Sequence, residues 1–154
     1  MADNTTLTSF IEQFNGFLVT CNELEDNDAW DKEANGPIEL YLQADLLGVV
    51  LQLMSVDGHF EQAEADVVNT MFGGAYAPEE LEEVFGDLDP IIEDYCDGQK
   101  ADTLALLLPL SPALADTYRD LILMAARIVS ESDGVAEGQE KELIHRLEQA
   151  LSQR

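Results

Sequence analysis

One motif occurs twice in this sequence and constrains its fold more than any other feature. A long apolar run ends at Asp-Gly, and a glutamate follows seven residues after the aspartate. The two copies consist of Asp57, Gly58 and Glu64, and of Asp133, Gly134 and Glu140. The copies lie 76 residues apart, from position 57 to 133 and from 64 to 140. A repeat of this kind predicts a duplicated helical hairpin over residues 46–64 and 122–140, with its functional residues at the two corners.

Apolar residues elsewhere recur at spacings of three and four, which is typical of amphipathic helices. One such stripe covers residues 6–25. Pro37 suits the first turn of a second helix, which we expect to run to about residue 56 and to lie in the middle of a bundle, because it is apolar nearly all round. Ser111 and Pro112 form a strong start signal for its counterpart, which should run to about residue 132.

The remaining turn signals predict further helices. Helices should begin near Glu61, at Pro78 and at Pro90, a short one should cover residues 102–108, and a last one should follow Gly134. No stretch alternates with period two for long enough to form a strand. The sequence therefore predicts a single all-α domain over residues 1–154, a helical bundle of seven or eight helices built on two repeated helical hairpins, at about 40–72 and 116–151.

The charge of the chain excludes some partners. It has 32 Asp and Glu against 7 Lys and Arg, a formal net charge of −25. We expect no nucleic-acid partner, because phosphate recognition needs a basic face. Cations and basic protein partners suit such a surface, although a well-solvated acidic surface is the simplest interpretation.

The sequence shows neither a signal peptide nor a transmembrane segment. Cys21 and Cys96 lie far apart and form no CxxC motif. They are typical of buried free thiols, and we therefore expect a cytoplasmic protein.

The corner glutamates are placed on apolar faces. Glu64 is in phase with Val68 and Met71, and Glu140 is in phase with Ile144. A buried carboxylate needs a proton, hydrogen bonds or a cation. Two hypotheses follow: the acidic corner residues bind a divalent cation, or they are helix-corner architecture. In the second case Glu64 is the third residue of a capping box, although a glutamate such as Glu61 is a poor N-cap.

These residues resemble the TerB-like family of tellurite-resistance and DjlA N-terminal-like domains. The resemblance is carried by Asp-Gly followed by glutamate behind an apolar helix, in two copies. It implies an all-helical bacterial protein of the stress-response or tellurite-resistance type, without catalysis. It also implies that a metal ion is held by the acidic residues of the two motifs, which here are Asp57, Glu64, Asp133 and Glu140. Since oxygen ligands favour hard cations and no Cys/His cluster is present, the expected metal is Ca²⁺, Mg²⁺ or Mn²⁺.

Weaker patterns concern other sites. Residues 31–42 nearly match a calcium-binding loop, but its last position is Leu42 where a bidentate glutamate is needed, so an ordinary loop is favoured. Glu142 and His145 copy half of a di-iron motif but lie off the apolar face, toward solvent. His59 is either a further metal ligand or an exposed turn residue. No nucleophile with a base, phosphate loop or HExxH motif is present, so we expect a protein that is not an enzyme.

Overall fold

The computed structural model describes residues 4–24, 30–55, 57–88, 91–96, 103–131 and 138–152. The helices of these ranges are α1 (Asn4–Glu23), α2 (Lys32–Asn35), α3 (Ile38–Met54), α4 (Gln62–Phe72), α5 (Pro78–Gly86), α6 (Ile91–Cys96), α7 (Thr103–Leu107), α8 (Pro112–Glu131) and α9 (Gln139–Ser152). The described residues contain no strand, so the predicted all-α helical bundle is confirmed. The additional helix, beyond the expected seven or eight, is α2, which is a single turn.

Helix α3 lies at the centre of the molecule, as its apolar sequence predicts. Its side chains Leu42, Leu46, Val49, Val50 and Leu53 are fully buried. It packs against α1, α4, α5, α6, α8 and α9. Because α3 has neighbours on most of its sides, most of its surface is buried, which explains why its sequence is apolar nearly all round.

Helix α1 joins the two hairpins into one core. It packs on α8, α3 and α4. Phe17 stacks on Tyr118 of α8 with ring centroids 5.5 Å apart, and Phe14 meets Phe72 of α4 edge to face at 5.9 Å. The aromatic stripe of the first helix is therefore core, and α1 belongs to the central layer together with the hairpin helices.

The near match to a calcium loop forms a capped helical turn. Asp31 Oδ1 accepts a hydrogen bond from the Ala34 N–H at 3.1 Å and so caps α2, which the sequence did not predict. Trp30 is buried, and its Nε1 donates to the carbonyl of Gly36 at 3.0 Å. This segment is fixed by its own cap and by an anchored tryptophan.

Both cysteines are free thiols. Cys21 is buried, and burial raises its pKa to about 12. Cys96 is half-buried, and burial also raises its pKa. In the part of the chain that the structure describes, no helix has the length and apolar character needed to cross a bilayer.

Candidate metal centre at the first helical corner

The corner between α3 and α4 is built around the carboxylate of Asp57. Its Oδ1 accepts hydrogen bonds from the Ser55 hydroxyl at 2.8 Å and from the His59 N–H at 3.0 Å. The Gly58 N–H donates to the Ser55 Oγ at 3.0 Å. The hydrogen bond from the His59 N–H and, second to it, the bond from the Ser55 hydroxyl lower the pKa of Asp57 below its usual value. Asp57 is exposed, and one of its two oxygens already holds the turn.

Helix α3 ends slightly earlier than expected. The sequence predicted that it would run to about residue 56, but α3 ends at Met54 and Ser55 is extended, with φ −149°. Gly58 adopts the left-handed conformation, with φ +83°. A Cβ at this position would also lie 3.1 Å from the ring of Phe85 in α5. The glycine therefore serves the turn and allows close packing of α5.

Glu64 lies on the buried side of this corner. It is only 5% exposed. Its Oε1 accepts a hydrogen bond from the N–H of Glu61 at 2.8 Å, which is the bond that a capping box requires of its third residue. Helix α4 begins at Gln62 with Glu61 as its N-cap, as predicted. The architectural hypothesis thus explains one of the contacts of Glu64.

The electrostatic surroundings of Glu64 are unfavourable for its charge. Burial is the main cause that raises its pKa, and the carboxylates of Glu61 and Glu140 raise it further. The Glu61 N–H and the charge on His59 act in the opposite direction. Glu140 belongs to α9, so its charge reaches Glu64 from the second hairpin. Of these causes, the charge of Glu140 is the smallest.

His59 connects this corner to α5. Its Nε2 lies 3.1 Å from Glu61 Oε1, and its Nδ1 lies 3.5 Å from Glu82 Oε2. These contacts, with the Glu61 hydrogen bond first, raise the pKa of His59. The side chain is exposed, which agrees with the interpretation as a turn residue. It contributes the positive charge nearest to these carboxylates when it is protonated.

Helix α5 supplies contacts to the corner that sequence reasoning missed. Glu82 Oε2 accepts from the Phe60 N–H at 3.3 Å, and Phe85 meets the buried ring of Phe60 at a centroid distance of 5.9 Å. Neither residue belongs to the repeated motif. The one signal in the sequence is that Glu82 and Phe85 are spaced i, i+3 and so share one face of a helix that begins at Pro78. This spacing does not indicate which element that face contacts.

The second corner is described only in part. Asp133 and Glu137 lie outside the described residues, while Glu140 is half-buried in the first turn of α9. Among the described residues, no group of three or more His, Cys, Asp or Glu is arranged to hold a metal ion. Asp57, Glu64 and Glu140 alone therefore do not form a complete centre, and a four-carboxylate centre depends on Asp133. Glu142 and His145 are exposed, as their helical phase predicted.

The chain matches no family model, and no curated protein or solved structure is significantly similar to it. The fold therefore defines the molecule as an all-α bundle with an acidic helical corner. The resemblance to TerB-like proteins, which the repeated motif alone carries, stays a prediction.

Proposed function

We propose that this chain is a TerB-like module of the bacterial stress-response or tellurite-resistance type, which binds a divalent cation through Asp57, Glu64, Asp133 and Glu140 and acts without catalysis. The observation that carries the proposal is the environment of Glu64. A carboxylate that is 5% exposed, with two further carboxylates near it, is disfavoured in its ionised form. A divalent cation would remove that penalty, because it supplies the positive charge that the described surroundings provide only through His59.

The elements of the fold suit such a role. Glu64 comes from α4 and Glu140 from α9, so an ion between them would join the two hairpins. Glu64 Oε1 and Asp57 Oδ1 are engaged in the cap and the turn, which fixes both side chains and leaves each with a second oxygen as a ligand. Carboxylate oxygens favour the hard cations Ca²⁺, Mg²⁺ or Mn²⁺.

Thermal unfolding tests the proposal. A cation bound only by the folded state stabilises it by mass action, by about 2.7 kcal/mol at a hundred times its dissociation constant. Monovalent salt should itself raise the melting temperature, because it screens the repulsion of a chain with a formal charge of −25. Ca²⁺, Mg²⁺ and Mn²⁺ must therefore be compared with Na⁺ at matched, high ionic strength.

Matched variants locate the effect. Asp57→Asn and Asp133→Asn each remove a charge with little change of shape, and each should abolish the increment specific to divalent ions while leaving the response to Na⁺ intact. Asp66→Asn is the control, since Asp66 is an exposed carboxylate of α4 that accepts from Gln62 at 2.8 Å. If none of the three divalent ions exceeds Na⁺, the cation proposal is wrong.

The second candidate is a non-enzymatic acidic protein-interaction domain whose corner carboxylates are purely structural. It is favoured by the hydrogen bonds that Asp57 and Glu64 already accept from the backbone, which are those of a turn and a helix cap. It predicts full stability without divalent ions and a binding surface elsewhere on the molecule.

A further inference from the structure

A groove between α1 and α3 leaves apolar surface open to solvent. It has a volume of about 380 Å³ and ends against α4 and the loop that follows α4. On α3 it is lined by Leu40, Gln43, Ala44 and Leu47, which are spaced i, i+3, i+4 and i+7. Leu40 is 62% exposed, which is high for a leucine beside the core. The surface of α3 around Leu40 and Ala44 is therefore exposed, with no covering element among the described residues.

Helix α1 contributes a second face with the same spacing. Its lining residues are Ile11, Phe14, Asn15 and Leu18, again at i, i+3, i+4 and i+7, of which Phe14 and Leu18 are buried core residues. Each face spans seven residues, which is about 10 Å at the rise of an α-helix. Two helical faces side by side form a trough, and the surface that fits such a trough is the ridge of a third helix.

The far end of the trough is held rigid. Met71 and Tyr76 line it. Asn69 fixes the loop that carries Tyr76, since its Oδ1 accepts from the Tyr76 N–H at 2.7 Å and its Nδ2 donates to the Tyr76 carbonyl at 3.0 Å. A trough with a fixed end wall limits how far an inserted helix can slide.

The rim of the groove is acidic. Glu12, Glu39 and Asp66 each lie three or four residues from a lining residue on the same helix, and therefore on the same side of it. Lys32 is the one Lys or Arg in residues 1–99, and the other six lie at position 100 or beyond. Helices α1, α3 and α4 thus present no cation of their own to balance this rim.

We propose that the groove between α1 and α3 binds an amphipathic helix of a partner protein, with apolar residues at i, i+3, i+4 and i+7 on one face and Lys or Arg on its flanks. The apolar face would fill the trough, and the basic flanks would meet Glu12, Glu39 and Asp66. A second copy of this chain is a poorer occupant, because it would bring the same carboxylates against the rim. The proposal goes beyond the proposed cation site and does not depend on whether the corner carboxylates bind a cation.

Binding of a synthetic peptide to the full chain tests the proposal. The probe is a fluorescent helical peptide of about 15 residues, long enough to form a helix when bound, with leucines in the stated pattern and lysines elsewhere. One control peptide has the same composition with its leucines scrambled, and another has glutamate in place of lysine. Fluorescence anisotropy should show saturable binding of the probe and at least about tenfold weaker binding of both controls, equivalent to about 1.4 kcal/mol.

Variants of the chain assign the site. Leu40→Glu should weaken binding of the probe by about tenfold or more. Leu108→Glu is the matched control, because Leu108 is a similarly exposed leucine (55%) that follows α7, and it should change the affinity by less than about twofold. The combined variant Glu12→Gln, Glu39→Gln and Asp66→Asn should weaken binding and flatten its salt dependence. Since these three positions lie on the rim, this variant retains the core even if Leu40→Glu fails to fold.

Several results would overturn the proposal. Equal binding of the scrambled peptide would show only attraction to a polyanion, and equal effects of Leu40→Glu and Leu108→Glu would place the site elsewhere. Self-association that Leu40→Glu abolishes, without peptide binding, would assign the groove to a second copy. Glu64→Gln, which should remove cation binding, should leave the peptide affinity unchanged. A loss of peptide binding in that variant would contradict the independence of the two sites.

Discussion

Asp45 and Glu64 are two carboxylates at the core that the fold treats differently. Asp45 is half-buried on α3, and its Oδ2 accepts from the hydroxyls of Tyr118 and Tyr95 at 2.6 and 2.7 Å. Glu64 is more deeply buried, and in the described structure its hydrogen bond comes from one backbone N–H. Donors surround the first carboxylate, whereas further carboxylates lie near the second.

The different surroundings of Asp45 and Glu64 indicate which carboxylate is structural and which is a candidate cation ligand. A carboxylate that accepts two phenolic hydrogen bonds is stabilised by its own fold, and it needs no further partner. Glu64 retains its position through a cap bond, yet it lies where burial and two negative charges oppose its ionisation. The capping hydrogen bond explains the orientation of the Glu64 side chain, but it does not explain why this carboxylate is buried.

Helix α5 provides an internal control for this argument. Glu80 is the third residue of α5, and it accepts from the Ala77 N–H at 3.1 Å, as Glu64 accepts from Glu61. Glu80 is exposed. The same local bond therefore forms with and without burial, which means that the surroundings of Glu64 come from the packing of the corner and not from capping.

The largest expected effect on the free energy of unfolding concerns the carboxylate of Asp45. Tyr118→Phe removes a hydroxyl from a fully buried side chain that donates to Asp45. We expect a loss of about 1.5–3 kcal/mol of unfolding free energy, the range for a hydrogen bond to a charged group, measured by urea denaturation. Tyr76→Phe is the control and should change stability by less than about 0.5 kcal/mol, because the bonds between Tyr76 and Asn69 involve its backbone. Equal effects of the two substitutions would contradict the role given to the tyrosine hydroxyl.

A smaller effect of opposite sign is expected at Glu64. Glutamine can still accept the Glu61 N–H, but it removes the buried charge. Without divalent ions at neutral pH, Glu64→Gln should therefore stabilise the protein by on the order of 1 kcal/mol. Glu80→Gln should stay within about 0.5 kcal/mol of the parent. Destabilisation by Glu64→Gln would show that the carboxylate is favourable where it lies and would remove the main support for the cation proposal.

The difference in unfolding free energy between the parent chain and Glu64→Gln should change with pH in a defined direction. The pKa of Glu64 is raised in the folded state, so in the range above its unfolded value of 4.5 the folded chain binds more protons than the unfolded chain. The stabilisation that Glu64 gives the folded state is fully present below the unfolded pKa of 4.5 and is lost as pH rises through the folded pKa. The stability of the parent relative to Glu64→Gln should thus fall from pH 4 toward neutrality, as measured by denaturation at several pH values. A difference that is constant with pH would contradict the assignment.

The smallest expected effect is at the exposed end of the corner. Ser55→Ala removes the hydroxyl that donates to Asp57, one of the two main causes of its lowered pKa. The pKa of Asp57, followed by NMR titration, should rise toward its usual value but remain below it, because the His59 N–H still donates. Ser152→Ala, at the far end of α9, is the control and should leave this pKa unchanged. A pKa of Asp57 that does not move would show that the serine hydroxyl is incidental to the turn.

The sequence predicted those features that depend on local signals. Pro78 marks the start of α5, as expected, and Gly73 ends α4 in the left-handed conformation, with φ +68°. The phase of the apolar residues predicted correctly that Glu64 is buried and that His145 is exposed. These outcomes follow from helical geometry within one element, so neighbouring residues suffice to predict them.

Other features depend on contacts between distant elements. The contact of Glu82 with the corner and the tyrosines around Asp45 both depend on packing angles between helices. No spacing in the sequence encodes those angles. Helix α2 was missed for a different reason, since its single turn carries no apolar period and depends on the Asp31 cap.

Titration of cations into the chain tests the central claim most directly. Isothermal titration calorimetry of Ca²⁺, Mg²⁺ and Mn²⁺ at matched ionic strength should show saturable binding of one ion to the parent chain and to Glu80→Gln. Glu64→Gln should show no saturable binding, because it lacks the buried carboxylate on which the site is built. The proposed cation site would be contradicted if none of the three ions bound to the parent chain, or if Glu64→Gln bound the ion as tightly as Glu80→Gln does.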